Sequence, residues 1–138
     1  MKSNLNSIKE MIDAYAEKIN ATKNLLPTYG NWKEYHPDVD IDENGQLYYQ
    51  IYERGQQLRN DFAYDEDDLC FRVFAGITYT MATEYALKNK VANQDFRRTW
   101  FAKQEELLGE LNEKWKERQH KEHEAILRFH PFNDSYHV

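Results

Sequence analysis

The chain has 138 residues and a net charge of −6, with 30% charged and 41% hydrophobic residues, which suits one domain burying roughly two-thirds of its unfolded surface. No apolar run approaches the roughly 20 residues of a membrane span, and one cysteine, Cys70, leaves no internal disulfide framework. The acidic balance argues against nucleic acid as a ligand, because phosphate contacts need Lys and Arg. Without an apolar h-region near Met1, a soluble cytoplasmic protein with no membrane contact is expected.

Residues 3–25 read as an amphipathic helix, with Leu5, Ile8, Ile12, Tyr15 and Ile19 recurring at spacings of three and four, ended by Pro27 and Gly30. Residues 37–64 switch to period two. Val39 and Ile41 alternate with Asp38, Asp40 and Asp42, and Leu47, Tyr49 and Ile51 alternate with Gln46, Tyr48, Gln50 and Tyr52. A two-residue Asn44-Gly45 turn would put aspartates on the face of Leu47 and Tyr49. A three-residue loop, Glu43-Asn44-Gly45 with Gly45 left-handed, instead pairs Ile41 with Leu47 and Val39 with Tyr49. A tight turn at Arg54-Gly55 then opposes Ile51 to Leu58, Tyr49 to Asn60 and Leu47 to Phe62, giving a three-stranded antiparallel meander.

Asp65 is placed to cap a second helix running to about Lys90, whose first-turn acids suit the positive end of the dipole. Its apolar residues, from Leu69 through Phe74 and Ile77 to Tyr85, wrap most of the circumference, so it reads as central and buried. Asp95 to Leu111 forms a third helix, with Phe96, Trp100, Leu107, Leu108 and Leu111 inward. Asn112 caps a fourth that carries Trp115, Ile126 and Phe129 and stops at Pro131. The expectation is a single α+β domain: N-terminal helix and connection (1–35), β meander (36–64), helical part with a buried central helix (65–132) and tail (133–138).

Residues 36–68 hold ten carboxylates against Arg54 and Arg59, a local charge of −8. Asp40-Ile41-Asp42-Glu43-Asn44-Gly45 resembles the start of a calcium loop, but the twelfth position, where a bidentate Glu belongs, is Ile51. The hairpin accounts for it better. On that register the outer face of the meander carries Asp38, Asp40, Asp42, Tyr48, Tyr52, Arg59 and Asp61, a set that suits a basic protein partner. A solvated sheet face in which Tyr covers strand backbone is the alternative. His120 and His123 lie one turn apart on the last helix without the spacing of a metalloprotease. No catalytic set, cofactor or metal site is assigned, and a binding protein is expected in preference to an enzyme. A metal-binding module using these histidines, or an oligomerisation subunit, remain as other readings.

Further along, Gly76-Ile77-Thr78, Met81-Ala82 and Tyr85 are followed by Asn93-Gln94-Asp95-Phe96-Arg97-Arg98, Phe101, Gln104 and Leu107-Leu108-Gly109. Trp115, Arg118, Glu124, Ile126-Leu127 and His130-Pro131-Phe132 complete the series. With the Asp42–Gly45 hairpin, this resembles the immunity protein 63 family of bacterial polymorphic-toxin systems. The resemblance implies a small cytoplasmic protein that binds and neutralises a cognate toxin, and it carries over no catalytic residues. A nuclease toxin, with its basic cleft, is the kind of partner an acidic face would fit. The Asp95–Arg98 block needs no partner to explain it: Asp95 can cap a helix while Arg97 and Arg98 pair with acids.

Overall fold

The computed structural model describes residues 4–135. Ser3 of the expected first helix and His137 of the tail lie outside them. In chain order the elements are α1 (Leu5–Lys18), a 3-10 turn (Lys23–Leu25), β1 (Thr28–Tyr29), β2 (Asp38–Ile41), β3 (Leu47–Glu53), β4 (Gln56–Ala63), α2 (Glu66–Lys88), α3 (Phe96–Leu111) and α4 (Glu113–Phe129). The class is α+β. The chain divides into two compact units, the first ending at Val73 and the second beginning at Phe74, so α2 contributes to both.

In the first unit α1 is shorter than its periodicity suggests. Asn20 adopts a left-handed conformation (φ 56°), and the Ala21 N–H returns to the Ala16 carbonyl at 2.9 Å. That is a Schellman-type stop, in which a short amide side chain tolerates the conformation usually given to glycine. Ile8 and Ile12 are fully buried, and α1 lies against β2.

The sheet has the order β1-β2-β3-β4, with β1 parallel to β2 and the rest antiparallel. The strand beyond the expected meander is β1, two residues too short to leave a periodic signal. The first hairpin has the expected register: Ile41 pairs with Leu47 and Val39 with Tyr49, across a loop in which Gly45 is left-handed (φ 80°). Asp42 organises it, its Oδ1 accepting from the amides of Asn44 and Gln46, both at 2.9 Å.

The second hairpin corrects the expected register. A bulge beside Ile51 shifts β4 by one residue, so Tyr49 pairs with Asp61, Tyr48 with Phe62 and Leu47 with Ala63. Leu58 and Phe62, expected to be buried, are 59% and 58% exposed. The shift gives Leu47 a small buried neighbour and lets charged side chains find partners. Arg59 reaches Asp61 at 2.7 Å and stacks over Tyr49, and Arg72 reaches Asp61 at 3.3 Å.

At the start of α2, Asp65 Oδ1 accepts from the Asp68 amide at 2.8 Å, while Asp68 Oδ2 accepts from the Tyr64 amide at 3.0 Å. This satisfies backbone donors that a helix start leaves open. Cys70 is buried, and burial pushes its thiol up to about 12, so it is inert packing.

In the second unit, Phe74, Ile77, Ala82 and Ala86 of α2, Phe101, Leu107 and Leu108 of α3, and Trp115 of α4 form the core. Tyr79, Tyr85 and Leu87 are exposed, so α2 is not buried all round. Asp95 and Asn112 cap α3 and α4 as the sequence indicates. The inward faces differ from those expected. Phe96, Trp100 and Leu111 are only half-buried, while Ile126 and Phe129 are exposed. The buried stripe of α4 is instead Trp115, Gln119 and His123, at steps of four.

Candidate partner-binding face

Alternation along β2 and β3 places Asp38, Asp40, Tyr48, Gln50 and Tyr52 on the sheet face opposite Val39, Leu47 and Tyr49. Two aromatic pairs mark that face. Trp32, from the connection before β2, stacks on Tyr52 with ring centroids 4.3 Å apart, and Tyr48 meets Phe62 across the strands at 4.9 Å. Trp32 is 43% exposed and Phe62 58%. The Tyr48 hydroxyl donates to Asp42 Oδ2 at 2.7 Å. This bond, with the two amides from the loop, holds the Asp42 carboxyl below its ordinary value and the Tyr48 phenol above its own. Asp42 is therefore a fixed negative charge at the end of an aromatic pair.

The seven residues singled out from the sequence do not all lie together. Asp40, Asp42, Tyr48 and Tyr52 are partly exposed and share the aromatic face or its loop end. Asp38 is on the same side of the strand but wholly buried. It accepts from Thr28 Oγ1 at 2.6 Å, Gln50 Nε2 at 2.9 Å and the Asn31 amide at 3.3 Å. The bulge sends Arg59 and Asp61 to the side of Tyr49. Asp65 and Asp68 are used in capping and Asp61 in ion pairs, so much of the local −8 is consumed within the fold. Sequence reasoning missed Trp32, which sits in an aperiodic connection, and placed Phe62 on the wrong face.

The C-terminal histidines are engaged by side chains of α3 and α4. His123 is 3% exposed, stacked parallel on Phe101 with centroids 3.9 Å apart. Its Nδ1 meets Glu105 Oε2 at 2.7 Å, and its Nε2 lies 3.1 Å from Gln104 Oε1 and 3.2 Å from Gln119 Nε2. Glu105 Oε1 also takes the Nδ1 of His120, at 2.8 Å. Both nitrogens of the buried ring are thus committed to neighbours, and among the described residues no group of three or more His, Cys, Asp or Glu side chains could hold a metal. Burial lowers the His123 pKa, outweighing the opposite pull of Glu105. The unfolded ring takes up a proton near its ordinary 6.5 while the folded ring resists it, so the contribution to stability is complete above about pH 6.5 and erodes below it. Denaturant midpoints measured at pH 7 and pH 5 should fall with acidity, and His123→Phe, which keeps the aromatic stack, should flatten that fall while costing about 2 kcal/mol from the stranded Gln104, Gln119 and Glu105 groups.

The Asp95–Arg98 block ties the C-terminal segment to α3. Asp95 accepts from the amides of Arg97 and Asn133, both at 2.9 Å. Arg97 donates to the carbonyls of His130 (2.8 Å) and Pro131 (2.9 Å), and Arg98 pairs with Asp134 at 2.7 Å. The Arg97 guanidinium first, then these amides, brings the Asp95 carboxyl down to about 2. Stability from this group is therefore present above about pH 4 and lost as pH falls through about 2. Asp95→Ala should cost about 2–3 kcal/mol in chemical denaturation, from a lost cap and lost clamp bonds together. Asp95→Asn should abolish its share of the acid dependence.

No described helix is long and apolar enough to cross a membrane. No curated protein and no solved structure matches the chain at a significant level. The model of one family, Immunity protein 63, matches residues 43–125. That span begins in the β2–β3 hairpin and takes in β3, β4, α2, α3 and most of α4, well over half of the sequence. On this match the chain belongs to the immunity protein 63 family.

Proposed function

We propose that the chain neutralises a cognate bacterial toxin by binding it through the exposed aromatic face of the first unit, without chemistry of its own. The observation that carries this reading is the pairing of Trp32 with Tyr52 and of Tyr48 with Phe62 on a sheet face edged by Asp40 and Asp42. Interlocked rings offer large contact area at small entropic cost, and carboxylates at their edge steer a basic partner toward them. Asp42 and Tyr48 contribute as a preorganised hydrogen-bonded pair. Asp38, buried on the same side, and Arg59 and Asp61, on the side of Tyr49, support the sheet that carries this face. A nuclease, whose cleft must be basic to hold phosphates, is the toxin class that fits best.

Membership of an immunity-protein family and the isolation of both His123 nitrogens from solvent favour binding over catalysis. The experiment is growth rescue. A polymorphic toxin whose lethality the wild-type chain suppresses is expressed in a bacterial host with the wild-type chain, or with a variant carrying Asp40→Ala, Asp42→Ala, Tyr48→Ala and Tyr52→Ala. Rescue by the wild type and its loss in a variant that remains folded by circular dichroism is the expected result. Full rescue by the folded variant moves the interface to another surface.

A further inference from the structure

The open edge of the sheet carries information that the aromatic face does not. β4 is the last strand in the order, and its residues Gln56–Arg59 are all exposed. Strand alternation fixes where its backbone groups point. The Asp42 amide donates to the Gln46 carbonyl at 3.0 Å, so Gln46, Tyr48 and Gln50 direct their backbone groups toward β2, whereas Leu47, Tyr49 and Ile51 direct theirs toward β4. The partners of that second set are Ala63, Asp61 and Arg59. Asn60 and Phe62 consequently turn their N–H and C=O groups away from the sheet, where no other described strand takes them up. Natural sheets guard such an edge with charges, proline or a bulge. The bulge of this edge sits at Leu58 and no proline follows it, and the two charges, Arg59 and Asp61, are of opposite sign and flank Asn60 symmetrically.

We infer that β4 is a self-association edge, pairing antiparallel with β4 of a second copy about a two-fold axis at Asn60. In that register Asn60 hydrogen-bonds the partner's Asn60 through the backbone, and the Arg59–Asp61 ion pair within each copy is extended into a network, Arg59 facing the partner's Asp61 and Asp61 facing the partner's Arg59. The exposed Leu58 comes beside the partner's exposed Phe62. Opposite charges directly across an antiparallel pair are favourable, and a two-fold interface must be self-complementary. An axis one residue further along would set Asp61 against the partner's Asp61, so charge selects the register. The pairing joins two four-stranded sheets and places two aromatic faces on one surface. One strand pair buries less area than a permanent dimer needs, so the association is weak and reversible.

Sedimentation equilibrium of the full chain, from about 5 to about 500 µM, tests this. The mass should rise from the 16.6 kDa of the monomer toward twice that value. Asn60→Pro removes an outward N–H without touching the ladder to β3, and should leave a folded monomer throughout. Arg59→Glu and Asp61→Lys should each be monomeric alone, through like charges facing across the axis. An equimolar mixture of the two should recover the dimer, because each then faces its complement. A wild-type monomer at the highest concentration overturns the proposal, as does a dimer that survives Asn60→Pro. A mixture that stays monomeric beside a dimeric wild type overturns the register. No toxin is present in the measurement, so its outcome is independent of the proposed toxin-binding function.

Discussion

Replacing Tyr52 with alanine should weaken toxin binding about thirtyfold, the equivalent of about 2 kcal/mol. The effect is this large because Tyr52 does not stand alone. Its ring supports Trp32 at 4.3 Å, so truncation removes one contact surface and frees the indole that forms the next. Tyr48→Ala should cost a similar amount by a different route, unpairing Phe62 and releasing Asp42 from its hydroxyl donor. Tyr48→Phe separates these parts: it keeps the ring pair and loses only the hydrogen bond. Its affinity should therefore sit much nearer the wild type. Charge reversal at Asp40 should instead slow association and flatten its salt dependence, leaving dissociation little changed, because a rim carboxylate acts by steering. Surface plasmon resonance at two salt concentrations measures both quantities. Tyr52→Ala at wild-type affinity would place the toxin elsewhere, with the ring pair a cover for sheet backbone.

How well the sequence foretold these features depended on whether a residue's environment is set locally. The first hairpin was legible because placing the apolar Val39, Ile41, Leu47 and Tyr49 on one side is compatible with only one loop length. Asp65, Asp95 and Asn112 were legible as caps because a helix start asks for such a side chain within three residues. The second hairpin was not. Its bulge is favoured by a long-range contact, Arg72 of α2 with Asp61, whose two residues lie eleven apart and follow no shared period. His123 was underrated for a related reason. The sequence places it one turn from His120 on α4, but its burial depends on a ring from Phe101 of α3 to stack on and on Glu105, Gln104 and Gln119 as polar partners for its two nitrogens. The binding face was half legible. Alternation gave Tyr48 and Tyr52, whereas Trp32 arrives from a connection without periodicity, and nothing local distinguishes the exposed Asp40 from the buried Asp38.

That last distinction has the other large consequence. Asp38→Ala should cost about 3–5 kcal/mol of stability and should leave the toxin affinity of the folded protein unchanged. The carboxylate is wholly buried and receives Thr28 Oγ1, Gln50 Nε2 and the Asn31 amide. Removing it strands these donors and opens a gap between β1 and β2, and the desolvation cost of each stranded group adds to the lost bond. The damage should spread along the face, since Gln50 Oε1 also takes the Gln57 amide at 2.9 Å. Asp38→Asn keeps the shape but turns one acceptor into a donor facing other donors, so it should be intermediate, at about 2 kcal/mol. Urea denaturation gives the stabilities, and titration at a temperature where each variant is folded gives the affinities. Asp40, one pleat along and half-exposed, is the internal control: its alanine variant should alter association rate and barely move the urea midpoint. If Asp38→Ala instead kept wild-type stability and lost toxin binding, the carboxylate would belong to the interface and the network around it would be incidental. The opposite outcome makes the buried aspartate the strut that ties β1 to β2 and β3 and fixes the sheet edge from which Trp32 reaches Tyr52.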